Sequence, residues 1–325
     1  MIYTLTPNPC LDLGGTVANL APDEKAYVHD ETRSPGGNSI NSARIIKRLG
    51  APVTATGFLG GGTGTEVKFL LDQEDVVHEF IKIQGHTRTN VTVSNCKDHR
   101  QTRLSFPGPK ISSHERQALF KYIESIDRNS LLVIGGSLPP AFTGAHLLKI
   151  LRLAKLHKIP TIVDVPGPLL KYAFEMPTLL IKPNLVELQN FTGKKVSSLQ
   201  GVLKLTRNLT RKIPFICTSS VDGGALLVTP LGSWFGRIPK IEVKSTVGAG
   251  DSMVGAMSAY IWKESIRTRQ PIADLAYNSS PEFPAELLKN GLAAACGTLA
   301  LPGVMLASAK MYQKYLSKIE VRRLA

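Results

Sequence analysis

The stretch LLVIGGSLPPAFTGAHLLKILRLAKLHKIPTIVDV, residues 131–165, decides the fold. It opens on a short continuous apolar run, LLVIGG (131–136), and closes on another, PTIVDV (160–165). Between them HLLKILRLAKLHK (146–158) repeats its apolar residues at helical spacing. Continuous apolar runs of strand length, joined through a helix, read as parallel strands covered on both faces. The pattern continues outward. TLLIKPN (178–184) is a further strand, a helix runs through about 198–211, and PFICTSS (214–220) is the next strand. At the other end MIYTLTPNP (1–9) reads as a strand entering a turn. The expected fold class is α/β, a mostly parallel central sheet between two helical layers.

The N-terminal third reads differently. Segments at about 11–32 and 86–107 are polar, turn-rich and β-like, and TNVTVSN (89–95) alternates as a half-exposed strand should. They predict a small sheet appended to one domain spanning 1–325. It is either a lid over a cleft or an exposed edge hairpin, and periodicity does not separate the two. Residues 264–283, with several Pro, Ser and Asn, are expected to form an exposed loop insertion.

Composition narrows the function classes. The 325 residues are 43% hydrophobic, which suits a globular protein with a sizeable core. No apolar run approaches the roughly 20 residues that span a bilayer. The start lacks the basic, apolar and small-residue pattern of a secretory signal, so a cytoplasmic location and no membrane partner are expected. The formal charge is +14, from 39 basic and 25 acidic residues. The basic residues are spread along the chain. The densest stretches, 147–158 and 201–212, have apolar residues at helical spacing and read as helices with one solvated basic face. No nucleic-acid partner is therefore expected. Cys10, Cys96, Cys217 and Cys296 are far apart and form no C-x-x-C pair, which argues against zinc and against a disulfide framework. Cys217 and Cys296 are expected to be buried, and Cys10, beside a polar turn, more exposed.

The chemistry is concentrated in KSTVGAGDSMVGAMSAYIW (244–262). A strand-like stretch ends in Gly-Ala-Gly, and a helix begins at about Asp251. Glycines there let backbone N–H groups approach a ligand closely, and a helix start favours an anion. A carboxylate beside a phosphate is useful when it takes the proton of an attacking hydroxyl. The bland reading of the tetrapeptide alone is an Asp N-cap after a glycine turn.

The whole dodecamer STVGAGDSMVGA is similar, nearly residue for residue, to the second signature of the PfkB branch of ribokinase-like sugar kinases. The resemblance covers essentially the whole chain outside 264–283. It implies a ribokinase-like three-layer α/β/α domain with a small β-sheet lid, and an ATP-dependent phosphotransferase acting on an alcohol group. It implies Asp251 as catalytic base, with Gly248, Ala249 and Gly250 forming the anion-binding turn. SPGGNSINSARIIKRLG (34–50) resembles the first signature, which implies sugar contacts from Gly36, Gly37 and Asn41. Asn38 and Ser39 depart from the glycine, or lysine then glycine, usual there, and either could cap the helix. IKPNLVEL (181–188) resembles an Asn-x-x-Glu element. Asn184 and Glu187, with Asp164, are thereby implied near a Mg²⁺ ion through water. Without the resemblance, Asn184 reads as a cap and Glu187 as solvated. The nucleotide contacts implied are Lys182, Asn184, Ser219, Gly224, Gly248 and Gly250. Val221, in SSVDGGALL (219–227), replaces a usual glycine and would crowd a phosphate or point away.

Four matches resemble the phosphofructokinase branch of the family. TLTPNPCLD (4–12) carries Asp12, HTRTN (86–90) carries Arg88, DEKAY (23–27) carries Lys25 and GGSLPP (135–140) carries Ser137. They imply Asp12 and Ser137 near the sugar, and Arg88 and Lys25 on its resident phosphate. Arg offers a planar fork of donors and Lys a point charge, which suits a phosphosugar. The expected reaction is fructose 6-phosphate to fructose 1,6-bisphosphate, with 1-phosphofructokinase or tagatose-6-phosphate kinase activity as alternatives. A sugar-phosphate sensor without catalysis is the alternative of another class. The resemblance also implies a homodimer formed through the lid and, in some members, a requirement for K⁺.

Overall fold

The computed structural model describes residues 1–98 and 100–324; His99, inside the expected 86–107 segment, and Ala325 lie outside the described residues. The strands in chain order are β1 (Ile2–Thr6), β2 (Cys10–Val17), β3 (His29–Gly36), β4 (Val53–Leu59), β5 (Val77–Lys82), β6 (Arg88–Asn95), β7 (Gln101–Leu104), β8 (Leu131–Gly135), β9 (Thr161–Asp164), β10 (Leu180–Ile181), β11 (Phe215–Val221), β12 (Gly224–Thr229), β13 (Gly232–Arg237) and β14 (Glu320–Leu324). Ten of them form one sheet in the order β14-β13-β12-β11-β10-β9-β8-β1-β4-β5. The pairs from β11 to β5 are parallel, and β12, β13 and β14 extend the sheet antiparallel.

Period-two alternation places helices on both faces. Leu131 and Val133 of β8, and Phe215 and Cys217 of β11, face one core. That core is completed by helices Asn38–Arg48, Ala249–Thr268 and Phe283–Leu299. The neighbouring Leu132, Ile134 and Ile216 face the other core, under helices Ser113–Glu124 and Gly144–Leu156. The central strands are buried on both sides, as their unbroken apolar runs require. Cys217 and Cys296 are buried within the first core, as expected.

The remaining four strands form a small sheet in the order β3-β2-β6-β7. Its centre is a parallel pair, β2 and β6, in which Asp12 lies opposite Asn90. Both expected β-like segments contribute to it, and residues 18–28 form a mostly exposed connection between β2 and β3.

Two local expectations differ from the structure. The 178–184 strand is only two residues long as β10, and Pro183, which has no N–H to give a ladder, follows closely. Residues 264–283 are largely helical rather than a loop. The helix Ala249–Thr268 continues into them, and the turns Ile272–Asp274 and Leu275–Asn278 follow. Ile272, Leu275 and Ala276 are buried against the first core, which anchors the segment.

Candidate functional site

Parallel strands end together, and their C-terminal ends carry the site. Gly135 closes β8, Asp164 closes β9 and Lys182 follows β10. Lys182 is 5% exposed, and its Nζ lies 3.2 Å from Asp164 Oδ1. Burial pulls the ammonium down, but Asp164, Glu187 and Asp251 together hold it above its ordinary value. It stays charged. Its Nζ also lies 3.1 Å from where a Cβ on Gly250 would sit, so the cation rests against the glycine turn.

Gly248 is the N-cap of helix Ala249–Thr268, at φ +76°, a left-handed conformation that favours glycine. Asp251 is therefore in the first turn and is not the cap. Amides of a first turn have no helical partner and point toward the cleft. Asn41 Nδ2 donates to Asp251 Oδ2 at 2.8 Å, and Ser42 Oγ donates to the Asp251 carbonyl at 2.8 Å. Burial, then the charge of Asp164, raises the Asp251 carboxyl from 3.8 to about 7, against the Asn41 hydrogen bond and the Lys182 and Arg103 charges. A carboxylate in that range is matched to taking a proton at neutral pH.

Asn184 and Glu187 form a reciprocal capping box. Asn184 Oδ1 accepts from the Glu187 amide, and Glu187 Oε2 accepts from the Asn184 amide, both at 2.9 Å. Glu187 is half-buried rather than freely solvated, and burial raises its carboxyl.

A cleft of about 560 Å³ joins these groups to the small sheet. It brings together Gly37, Asn41, Arg88, Asp164, Lys182, Asn184, Glu187, Gly248, Gly250 and Asp251. A second cavity of about 410 Å³ is lined by Lys182, Asn184, Ser219, Gly224, Ala249 and Gly250. The two share Lys182, Asn184, Thr246 and Gly250, so they meet at the glycine turn. Val221 is fully buried among Leu188, Val202 and Leu226 and points away from the second cavity. Of the two alternatives for Val221, crowding a phosphate or pointing away, the structure shows the second. Ser220 takes the positive φ, +60°, beside the register shift in β11.

The other expected residues are placed less directly. Asp12 is 3% exposed and accepts from Asn90 Nδ2 at 3.0 Å and from the Cys10 thiol at 3.3 Å. Cys10 is thus buried, not exposed as expected, and burial beside Asp12 keeps it a thiol. Gly36 packs against Asp12, because a Cβ there would collide with Asp12 Oδ2 and lie 2.8 Å from Cys10 Sγ. Ser137 Oγ accepts from Asn8 Nδ2 at 3.2 Å. Arg88 spends Nη1 on the Phe106 carbonyl and Nη2 on the Asn8 carbonyl, at 2.7 and 2.9 Å. Lys25 lies on the exposed 18–28 connection, over the Tyr27 ring at 4.7 Å. It is not among the residues lining the cleft. Neither Asn38 nor Ser39 caps its helix; Gly37 is the N-cap, without a side-chain bond.

Sequence reasoning missed Arg103 and Gln101, which β7 brings to the cleft wall. Arg103 Nη2 lies 3.8 Å from Asp12 Oδ1. The only signal was alternation in a short polar strand. No group of three or more metal-ligating side chains occurs among the described residues. A cation here would rest on few protein oxygens plus phosphate and water, the habit of Mg²⁺.

Residues 8–268 match the pfkB family carbohydrate kinase model. The chain is 33% identical over 256 residues to 1-phosphofructokinase of Borreliella burgdorferi, covering 78% of this chain and 82% of that one. It is 31% identical over 265 residues to 1-phosphofructokinase of Bacillus subtilis, covering 81% and 86%. The structure of phosphofructokinase-2 from Escherichia coli, in complex with substrates and products, superposes with TM-score 0.87 at 31% identity over 98% of both chains. The chain belongs to the PfkB family of carbohydrate kinases, phosphotransferases that act on a sugar hydroxyl.

Proposed function

We propose that this kinase transfers the γ-phosphoryl group of ATP to a fructose monophosphate, with fructose 6-phosphate as acceptor and fructose 1,6-bisphosphate as product. The observation that carries it is the buried Asp251 carboxylate at the helix start, where the two cavities meet. The nucleotide occupies the cavity of Ser219 and Gly224, with its terminal phosphate over the Gly248–Gly250 turn. The sugar lies in the larger cleft, its resident phosphate toward Arg88, Arg103 and the Lys25 segment. Asp12, Gly36, Gly37, Asn41 and Ser137 shape the sugar end. Asp251 takes the proton of the acceptor hydroxyl as its oxygen bonds to the γ-phosphorus. The bond from that phosphorus to the bridging oxygen breaks, and ADP leaves. Positioning and charge stabilisation by Lys182 and the first-turn amides supply most of the acceleration.

Sugar kinases of this family use ATP and Mg²⁺. Asp164, Glu187 and Asn184 fit a Mg²⁺ held through water. One Glu187 oxygen is taken by the cap and one Asp164 oxygen by Lys182, which leaves each a second oxygen for a metal-bound water. Bound there, the ion would neutralise phosphate charge. The small sheet acts as the lid, since Cys10, Gln101 and Arg103 line the cleft opposite Asp251. Exposed Tyr27, Val28, Leu104 and Phe106 on and beside that sheet support a homodimer formed through it. The whole chain, 1–325, works as one kinase domain.

Phosphorylation of fructose 1-phosphate is the second reading, favoured by the names of the two curated relatives. Full-length superposition on phosphofructokinase-2 supports the first. The test is ATP consumption with Mg²⁺ against fructose 6-phosphate, fructose 1-phosphate, tagatose 6-phosphate and free fructose. Fast turnover of fructose 6-phosphate alone supports the proposal, and fast turnover of fructose 1-phosphate replaces it. Sugar phosphate binding without ATP consumption would make the chain a sensor. Repeating the assay with K⁺ in place of Na⁺ tests cation activation, prompted by the potassium complex of the E. coli phosphofructokinase-2.

A further inference from the structure

Asn38 is the first residue of helix Asn38–Arg48. It does not cap the helix, and no hydrogen bond of its amide occurs among the described residues. It is held in place by packing on the end of β8. A Cβ on Gly135 would lie 3.2 Å from Asn38 Cβ, and one on Gly136 would lie 3.4 Å from Asn38 Oδ1. With the glycine turn behind it, the amide lines the same cleft as Asp164, Lys182 and Asp251.

Its position relative to the base follows from helix geometry. Asn38 and Asn41 are three residues apart on one helix, so they share a face with about 5–6 Å between their Cβ atoms. Asn41 is bonded to Asp251 Oδ2. Asn38 is thus one helical turn from the side chain that holds the base, on the wall of the same cleft, within the span of a sugar whose acceptor hydroxyl meets Asp251. An amide both donates and accepts, as a sugar hydroxyl does.

We propose that Asn38 is a specificity-determining residue that hydrogen-bonds the oxygen on the sugar carbon next to the phosphorylated one. The assignment rests on the function proposed above. With fructose 6-phosphate the acceptor is the C1 hydroxyl, and the neighbouring oxygen is the anomeric C2 hydroxyl. A neutral amide reads that group without adding a charge beside Asp251.

The experiment is a cycle of enzyme and substrate changes. Wild type and Asn38→Ala are assayed with fructose 6-phosphate and with 2,5-anhydromannitol 6-phosphate, which lacks the C2 hydroxyl. Wild type should lose about tenfold in kcat/KM on the analogue, and Asn38→Ala should lose less than about twofold. On fructose 6-phosphate itself the variant should raise the sugar KM while the KM for ATP stays put, a split that a merely loosened fold does not give. Asn38→Asp, which adds a charge, should move the midpoint of the kcat/KM pH profile upward. Equal losses on the analogue in wild type and Asn38→Ala would overturn the proposal, as would a rise in both KM values. A wild-type enzyme that turns over no fructose monophosphate overturns the underlying function instead, and the role of Asn38 toward fructose with it.

Discussion

Replacing Asp251 by asparagine should give a protein that has lost its turnover and gained stability, but only at alkaline pH. The carboxyl is raised from 3.8 to about 7 by burial and by Asp164. A raised carboxyl means that the folded state holds its proton more tightly than the unfolded chain. The stability conferred by that proton is complete below about pH 3.8 and is lost as pH rises to about 7. Between pH 5 and pH 8 the wild type forfeits most of this difference, on the order of 2–3 kcal/mol. Asparagine does not titrate and still offers an oxygen to Asn41. Groups that do not face Asp251 titrate alike in both proteins, and Lys182, held above its ordinary value, stays charged across this window, so the difference between mutant and wild type reports chiefly on this carboxyl.

The assay is urea unfolding of nucleotide-free protein at both pH values. The advantage of Asp251→Asn should grow by about 2–3 kcal/mol from pH 5 to pH 8. Turnover at pH 8 should fall on the order of 10²–10⁴-fold. A stability difference that is the same at both pH values would refute the claim that folding strains this carboxyl. Turnover that survives would refute its role as base.

Four further outcomes follow from the same geometry. The kcat/KM profile should rise through about pH 7 as Asp251 ionises, and Asn41→Ala should move that midpoint upward by removing a donor; a midpoint that falls argues against the Asn41 bond. Gly36→Ala should displace Asp12 and raise the sugar KM with little change in the KM for ATP, measured by initial rates. Glu74→Gln unpairs Arg44, whose side chain is 7% exposed, and should cost about 3–5 kcal/mol in urea unfolding. Chelation of Mg²⁺ should abolish turnover and readdition restore it, and Glu187→Gln should raise the Mg²⁺ needed for half-maximal rate.

Much of the fold was legible because strands buried on both faces spell themselves as apolar runs. Leu131 to Ile134 serve two cores in alternation, and no other element of that length can do so. The 264–283 segment misled because Pro271, Ser279 and Ser280 dominate its appearance. The spacing of Ile272, Leu275 and Ala276, apolar at i, i+3 and i+4, was the helical signal within it. In the site, the residues contiguous in sequence were readable, since a helix start and its glycine turn are local. The Asp12 surroundings were not. They depend on β2 and β6 pairing in one register, which brings Asn90 opposite Asp12 across 78 residues of chain. Nor could the sequence tell that Val221 turns into a core while Ser220 takes the left-handed conformation.

The raised carboxyl of Asp251 also explains the density of bonds around an otherwise ordinary helix start. A buried ionisable group would relax by moving toward water if its backbone were free. Here it is not free. Ser42 Oγ holds the Asp251 carbonyl, and Ser252 Oγ shares a 2.7 Å hydrogen bond with Thr298 Oγ1. Thr298 Oγ1 in turn accepts from the Ala307 amide at 3.0 Å, and Ser245 Oγ donates to the Gly303 carbonyl. The first turn is thereby tied to helix Asn38–Arg48 on one side and to the 298–307 connection on the other. Ser252 and Thr298 are fully buried, so each hydroxyl must be satisfied there or leave an unpaired polar atom. That requirement makes the tie rigid. Ser252→Ala should accordingly lower the pH midpoint of turnover, because a loosened first turn lets Asp251 reach water. A midpoint that stays at about 7 with stability reduced would show instead that burial by the surrounding side chains alone sets the carboxyl.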